Sequence, residues 1–431
     1  MSYVYTILAI YILALLGLSY FSSRRQSDED FLISGRNRPG WQIFLSKFAA
    51  GIGAGYFITY TGFAYEYGMG VFALLLGVVL GYLFFAYWAT PKIHAESKNN
   101  HYYTIGDLVK GKTKSNFCAS LANIVSNVIL FSWLLVGIIG GGKIISDFGL
   151  ISYVPAVIIT GLVVMLYILL ARYKGVLLTD IIQSFVILVL LFAVTVGIVG
   201  SDITSLFQVN TGSVDIGTAV GFLIFGILSV FSMTSYYQLT YAAKDEKKLK
   251  HAMGLAVVPI LIAATMLLLV GLFMAKNVVG LDTGLVFTEA LKTFLPVSLL
   301  PYAIVLFFAG VMSSADTNVY AISTQLSAKK SLSIKKIRYG ISIIMPLTVI
   351  FSIVFSDIVD VSIIAGGISC LLSAGMIYLI SGGKNPSRFT GSIVGGIIGF
   401  VIAIIVIGIT PVSLLPSILG SLLGLLWKGR R

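Results

Sequence analysis

The chain has 431 residues, of which 58% are hydrophobic and 11% are charged, and its formal net charge is +12. This composition is too apolar for a soluble globular protein and is typical of a protein that crosses a membrane many times. The cations are divided among short loops and form no continuous basic face, which excludes nucleic acid as a serious partner.

Apolar stretches of about 20 residues, each long enough to cross a bilayer, follow one another along the chain. They predict about thirteen spanning helices in one transmembrane domain that covers residues 1–431. The predicted spans are 3–22, 41–63, 69–90, 116–141, 151–171, 175–199, 216–241, 252–275, 297–327, 338–357, 361–381, 389–409 and 412–427. Between spans, we expect short surface helices near residues 103–108 and 283–294.

The distribution of Lys and Arg predicts how the chain is oriented. These residues are concentrated in alternate loops, which places the N-terminus outside the cell and the C-terminus in the cytoplasm of a protein in the inner (plasma) membrane. Arg24 and Arg25 follow the first span, where a signal peptide would have small residues for cleavage, so we expect that span to be retained.

Two of the predicted spans are interrupted. The second contains Gly51-Ile52-Gly53-Ala54-Gly55, where glycine weakens a helix, although such a run also suits close packing against a neighbouring helix. The seventh carries polar residues between apolar ends, from Ser229 to Gln238. The two spans are five apart in order, so they have opposite orientations, as in inverted-repeat transporters with a binding site at the breaks.

The repeat interpretation divides the chain into four parts. Residues 3–22 form a leading helix, 41–200 a first five-helix repeat, 214–382 its inverted counterpart, and 389–427 two trailing helices.

The ninth span carries a polar face. Gly310, Ser313, Ser314 and Thr317 are three or four residues apart and share one side of a helix. Their hydroxyl and carbonyl oxygens suit an alkali cation, although the hydroxyls could instead bond to carbonyls one turn back. Asp316 lies mid-span beside them, and ionisable groups in such places are functional by default.

The sequence resembles the sodium:solute symporter family in five motifs that occur in the family's order. Phe31–Arg36 looks like its FLxGR segment, Ala49–Ala54 like its broken helix, Gly175–Gln183 like its TDxxQ segment, Gln238–Asp245 like QRxxAAKD, and Ala309–Asp316 like AxMSSxDS. The resemblance implies an all-α, LeuT-like fold of two inverted five-helix repeats. It also implies sodium-coupled symport of a small organic solute (an amino acid, carboxylate or sugar) into the cytoplasm by alternating access.

The same resemblance implies a site, with sodium as the coupling ion and no cofactor. Sodium would be bound by the carbonyl groups of Ala49, Ile52 and Gly310 and by the hydroxyls of Ser313 and Ser314. A second ion or an ion path would involve Asp180 and Asp316, and Arg36 would take part in coupling at the inner face. The solute would contact Gly53, Ala54, Gly55, Tyr56, Tyr236, Tyr237 and Gln238.

Some residues depart from the family pattern. Gly51 stands where some members have an acidic or amide residue, Gly53 where many have serine, and Leu239 where many have arginine. Lys47, early in the second span, is unusual, and we expect its ammonium to snorkel to the nearby cytoplasmic face. The alternative is that the ammonium replaces a cation and makes coupling proton-dependent or absent.

Two other functions compete with symport. A membrane sensor on a transporter fold would need a separate partner protein, because the chain ends at Trp427–Arg431 without a signalling module. An intramembrane enzyme is disfavoured because His94, His101 and His251 all fall in predicted loops and no catalytic cluster lies within the spans. The sequence leaves the solute, the sodium stoichiometry and the oligomeric state open.

Overall fold

The computed structural model describes residues 36–51, 54–170, 188–198, 215–327 and 334–427, together with residues 6, 7, 9–14, 17, 185 and 200. Within those ranges the chain is helical, and its one strand-like contact is an isolated parallel bridge between Arg38 and Ala243. Of the predicted leading span, residues 9–14 are helical.

After residues 9–14, the described residues form eighteen α-helices, from 9 to 32 residues long. In chain order they are α1 (Gly40–Gly51), α2 (Ala54–Tyr67), α3 (Phe72–Phe84), α4 (Thr90–Asn100), α5 (Ile105–Thr113), α6 (Asn116–Asp147), α7 (Tyr153–Leu170), α8 (Leu188–Ile198), α9 (Ile216–Ser232), α10 (Thr234–Ala242), α11 (Glu246–Leu255), α12 (Val257–Asn277), α13 (Val286–Phe294), α14 (Leu300–Ser327), α15 (Ile334–Val354), α16 (Ile358–Ile380), α17 (Pro386–Ile407) and α18 (Leu414–Gly424).

Several of these helices are long and apolar enough to cross a membrane. Among the described residues, six helices are long and apolar enough to span a bilayer, and a seventh if α9 and α10 form one bent span. The count of thirteen is therefore not confirmed, since several predicted spans are shorter here or lie partly outside the described residues.

Both predicted surface helices are present. The first is α5, which begins with a capping box: the Asp107 amide donates to the Thr104 hydroxyl, and the Asp107 carboxylate accepts from the Thr104 amide. The second is a segment formed by a 3-10 turn and α13, which we call the short-helix segment (Thr283–Phe294).

The two predicted interruptions coincide with helix ends. Helix α1 ends at Gly51 and α2 begins at Ala54. Helices α9 and α10 meet at Met233, whose backbone is extended, with a bend of 44°. The Tyr237 hydroxyl donates to the Phe231 carbonyl over 2.7 Å, so it satisfies a carbonyl group that the break frees from the helix.

Helices α3 and α9 pack backbone against backbone through glycines. A Cβ on Gly77 or Gly81 would overlap the carbonyl of Leu223 or Ile227, and a Cβ on Gly226 would lie 2.5 Å from the Leu74 carbonyl oxygen. This contact joins a helix from the first predicted repeat to the bent helix of the second. Small residues permit such approach, and packing then replaces the hydrophobic effect as the attraction between helices in lipid.

At one end of the molecule the chain around the short-helix segment is held to α2 and α6. The Tyr65 hydroxyl donates to the Val278 carbonyl and accepts from the Leu281 amide, both over 2.9 Å. The Lys143 ammonium lies 2.6 Å and 2.7 Å from the two carboxylate oxygens of Asp282. Lys143 is buried while half of the Asp282 side chain is exposed, so this is a partly buried ion pair.

Replacing Asp282 by asparagine should therefore lower the stability of the protein. The change leaves the buried Lys143 ammonium without its counter-charge, and we expect a loss of about 1–3 kcal/mol in the free energy of unfolding. Thermal unfolding in detergent measures the loss. The double variant Asp282→Asn with Lys143→Met should recover most of it, and a double variant as unstable as Asp282→Asn alone would contradict the assignment to charge.

At the opposite end, the chain before α1 is bonded to the chain after α10. The Arg38 amide donates to the Ala242 carbonyl over 3.0 Å, and the Lys244 amide donates to the Arg38 carbonyl over 3.1 Å. The His94 Nε2 lies 3.1 Å from the Ala243 carbonyl oxygen. We call this contact the backbone latch (Arg38 with Ala242–Lys244). It ties together the far ends of the two interrupted spans.

Candidate functional site

A cavity of about 60 Å³ lies beside the two interruptions, between the short-helix segment and the backbone latch. Its walls come from α2, α3, α6, α9 and α10 and from the residue between α9 and α10. They are mainly aromatic and aliphatic, with a few hydroxyl groups. The lining residues are Tyr56, Thr59, Tyr60, Phe63, Leu74, Val78, Tyr82, Trp133, Phe225, Ser229, Val230, Met233 and Tyr236.

Four tyrosines form the most polar part of the wall, and we call them the tyrosine quartet (Tyr56, Tyr60, Tyr82 and Tyr236). Tyr56 and Tyr60 stack with ring centroids 4.3 Å apart, and the Tyr60 hydroxyl donates to the Tyr56 hydroxyl over 3.1 Å. Tyr82 and Tyr236 meet edge to face at 5.5 Å, and their hydroxyls are hydrogen-bonded to each other. The quartet therefore consists of two hydroxyl pairs, from three separate spans.

Lys47 lies directly behind this wall. Its Nζ is 2.7 Å from the ring centroid of Tyr236 and 3.9 Å from that of Tyr82. The side chain is 1% exposed, and within the described part of the chain Nζ has no hydrogen-bond partner. The expectation that Lys47 snorkels to the membrane face is wrong, because α3 and α10 enclose its ammonium and their aromatic rings cover it.

The predicted sodium site falls partly outside the described residues. Ile52 lies outside them, and for Ala49 and Ser313 only the backbone is described, in α1 and α14. Gly310 is buried and Ser314 is half-buried on α14. Of the proposed ion-path residues, Asp180 lies outside the described residues, and Asp316 is described by its backbone alone.

Aromatic contacts nevertheless show which part of α14 faces the first interruption. Phe307 of α14 lies 6.0 Å from Phe57 of α2, ring centroid to ring centroid, and Phe287 of the short-helix segment contacts both. Helix α2 runs toward that segment and α14 runs away from it, so the two are antiparallel. One turn from Phe307 toward the latch leads to Gly310, as one turn from Phe57 leads to the break.

Only some of the residues predicted to bind solute line the cavity. Tyr56 and Tyr236 line the cavity, whereas Tyr237 is turned toward the Phe231 carbonyl and Gln238 lies outside the wall. Gly53 lies outside the described residues, and Ala54 and Gly55 are described by their backbone alone at the start of α2.

Arg36 lies at the latch end. Its guanidinium donates to the Tyr102 carbonyl over 2.9 Å and stands 4.8 Å from the Tyr103 ring centroid. It therefore connects the chain before α1 to the chain before α5.

Several functional candidates were missed in the sequence. Tyr60 could have been found, because it lies four residues after Tyr56 and shares its helical face. Tyr82 and Trp133 could not, since they reach the cavity from other spans. A buried polar cluster was also missed: the Ser126 and Thr234 hydroxyls bond to each other, and the Gln325 amide lies 3.3 Å from both.

Comparisons with known proteins bear on the fold and the family of the chain. The profile of the sodium:solute symporter family matches residues 31–328. The sodium/pantothenate symporter of Haemophilus influenzae is 27% identical over 186 residues. That match covers 42% of this chain and 38% of the relative, so the aligned region is well under half of the relative's length.

Solved structures share the fold. A substrate-bound, outward-open Na+-coupled sialic acid symporter superposes with a TM-score of 0.73 at 18% identity, covering 100% of this chain and 98% of that one. A nucleobase-cation-symport-1 family transporter with bromovinylhydantoin bound gives 0.61 at 10% identity, covering 90% and 91%.

The all-helical, LeuT-like fold class predicted from the sequence is therefore confirmed, and the protein is a multi-pass membrane protein. The family match covers more than half of the chain, and it includes both interruptions, the tyrosine quartet and Gly310–Ser314. This chain belongs to the sodium:solute symporter family.

Proposed function

We propose that the protein is a secondary transporter that carries a small organic solute into the cytoplasm together with sodium. The observation that carries the proposal is the meeting of two interrupted spans at one cavity, with α14 packed against both halves of the first. Broken helices leave backbone groups available to a ligand at the middle of a membrane protein, where a lipid-facing break would be costly.

In this proposal the ion and the solute occupy opposite sides of the first break. Sodium binds between α1 and α14, at the carbonyls of Ala49, Ile52 and Gly310 and the hydroxyls of Ser313 and Ser314. The solute binds in the cavity, toward α3, α9 and α10. Asp180 and Asp316 line the ion path or bind a second ion.

The position of Lys47 argues against a coupling mechanism in which its ammonium takes the place of sodium. The side chain of Lys47 contacts rings on α3 and α10, whereas the described residues among the proposed sodium ligands lie near the end of α1 and on α14. We therefore assign Lys47 to the solute side of the break and Arg36 to the latch end. Coupling in this proposal depends on sodium.

The proposed transport cycle follows from the two ends of the molecule. The N-terminus lies outside and the C-terminus in the cytoplasm of the plasma membrane, so the short-helix segment faces outward and the backbone latch faces inward. Sodium favours the solute-competent arrangement, and opening of the latch end releases both. Such coupling is reciprocal: the solute must raise the affinity for sodium by the same factor.

A stability screen of the purified protein tests the proposal. Solute classes are added in sodium chloride and, separately, in potassium chloride, and the melting temperature is recorded. We expect at least one small organic solute to raise the melting temperature in sodium and not in potassium. Solutes that stabilise equally in both salts would contradict sodium coupling, and uptake into vesicles under a sodium gradient would confirm transport.

A further inference from the structure

Lys47 has a buried side-chain amine that no polar group of the described residues contacts. The Lys47 side chain is 1% exposed and has lost its hydration, and among the described residues Nζ has neither a hydrogen-bond acceptor nor an ion-pair partner. Contacts with the Tyr82 and Tyr236 rings replace only part of that hydration. Ionisable groups at such depth are normally paired, because an isolated buried amine favours its neutral form, so a negative charge nearby would be needed to stabilise the Lys47 ammonium.

The missing charge belongs on the cavity side of the two rings. Tyr82 and Tyr236 line the cavity and Lys47 does not, so the rings stand between the ammonium and the cavity. With a contact of about 3.5 Å on each face of a ring, a charge in the cavity would lie roughly 7 Å from Nζ. At an effective dielectric constant of about 20, attraction over that distance changes affinity by a factor on the order of 50–100.

The tyrosine quartet supplies the donors for such a group. In each hydroxyl pair one hydrogen is used by the bond between the two tyrosines. The second hydrogen of each pair has no acceptor among the described residues, so the quartet offers two O–H donors at the cavity wall. Two donors and a nearby cation match the two oxygens of a carboxylate.

The remaining wall sets the size and character of the solute. A cavity of about 60 Å³ offers room for roughly four or five water-sized positions. Apart from the quartet, the wall is dominated by apolar side chains such as Phe63, Val78 and Phe225. The space therefore suits a short apolar chain beside one charged group.

Building on the proposed symport, we propose that the solute is a small monocarboxylate, whose charge is balanced by Lys47 and whose oxygens accept hydrogen bonds from the tyrosine quartet. Lys47 is then a specificity-determining residue that acts through the electrostatic field behind the rings.

The test compares acids with their uncharged amides. Purified protein in sodium buffer receives propionate, butyrate or pyruvate as sodium salts, or the matching amides, with equal sodium chloride as the reference. We expect at least one carboxylate to raise the melting temperature, with an affinity at least about tenfold above that of its amide. The proposal would be overturned if acid and amide raised the melting temperature equally. It would also be overturned if no carboxylate raised the melting temperature above that in equal sodium chloride.

Variants of Lys47 and Lys143 test whether Lys47 binds the solute or only stabilises the fold. Lys47→Met should melt higher than the wild type without solute, because a buried polar amine without a hydrogen-bond partner is replaced by an apolar side chain, yet it should lose the carboxylate shift. Lys47→Arg should retain part of that shift, and Lys143→Met, which removes a paired lysine at the other end, should retain all of it. A Lys47→Met protein that still prefers acid over amide would refute the assignment.

The same screen distinguishes this inference from the proposed function. A neutral solute that stabilises the protein only in sodium would preserve symport and overturn the carboxylate assignment. A carboxylate that stabilises equally in sodium and potassium would support the Lys47 assignment and contradict sodium coupling.

Discussion

Replacing Ser313 and Ser314 together by alanine is expected to raise the sodium concentration for half-maximal uptake by at least about tenfold. Each change would remove one oxygen from the proposed sodium shell, and a hydrogen-bonding or ligating contact to a charge is worth about 1.5–3 kcal/mol. Sodium titrations of uptake into vesicles measure the shift. Because the ligands belong to the ion and not to the solute, solute affinity at saturating sodium should change far less.

Ser369→Ala provides a matched control for this experiment. Ser369 is buried on α16, and its hydroxyl donates to the Ala365 carbonyl over 2.7 Å, which is the role that Ser313 and Ser314 would have if they only packed helices. The control should leave the sodium requirement unchanged. If the double variant also leaves it unchanged, the proposed sodium site is in the wrong place.

Replacing Gly77 by leucine is expected to prevent the protein from reaching its folded state. The added side chain would begin at a Cβ that overlaps the Leu223 carbonyl, and backbone cannot move aside as a flexible side chain can. Separating α3 from α9 would also disturb the cavity, since both helices contribute to its wall. Overpacking in a tight interior costs about 1–3 kcal/mol or more, and this change adds four carbon atoms.

A pair of alanine variants makes this prediction quantitative. Alanine gains up to about 1 kcal/mol over glycine from helix propensity. Gly340 on α15 has room for a Cβ, whose nearest neighbour would be the Ser323 hydroxyl at 3.4 Å, so Gly340→Ala should stabilise. Gly77→Ala should destabilise despite the same gain. Equal melting temperatures for the two variants would show that α3 and α9 do not need contact at that glycine.

The membrane-spanning segments and the helix breaks could be predicted from the sequence for a physical reason. A bilayer imposes a fixed length of apolar residues on each span, and glycine or polar residues at its middle mark the places where a helix can end. Gly51–Gly55 and Ser229–Gln238 therefore predicted the ends of α1 and α9 within a few residues. The short helix α5 was predictable too, because its capping residues are local.

The cavity wall was not accessible in the same way. Tyr82 and Tyr236 meet only after two spans have packed, and no spacing in the chain records that contact. The prediction that the Lys47 side chain reaches the cytoplasmic face was wrong for the same reason. A lysine near a membrane face snorkels only when no neighbouring helix covers it. The sodium ligands stay a prediction. It rests on the resemblance to the symporter family and on the contact of Phe57 with Phe307, which joins the antiparallel helices α2 and α14.

The backbone latch has a consequence for how opening of the inner end could be observed. Two amide hydrogens, those of Arg38 and Lys244, are held there by hydrogen bonds whose net worth is about 0.5–1.5 kcal/mol each. The two bonds together therefore contribute about 1–3 kcal/mol to the free energy that opening of the inner end must overcome. Exchange of these two amide hydrogens with deuterated solvent would thus act as a clock for the inward-facing state, without any label on the protein.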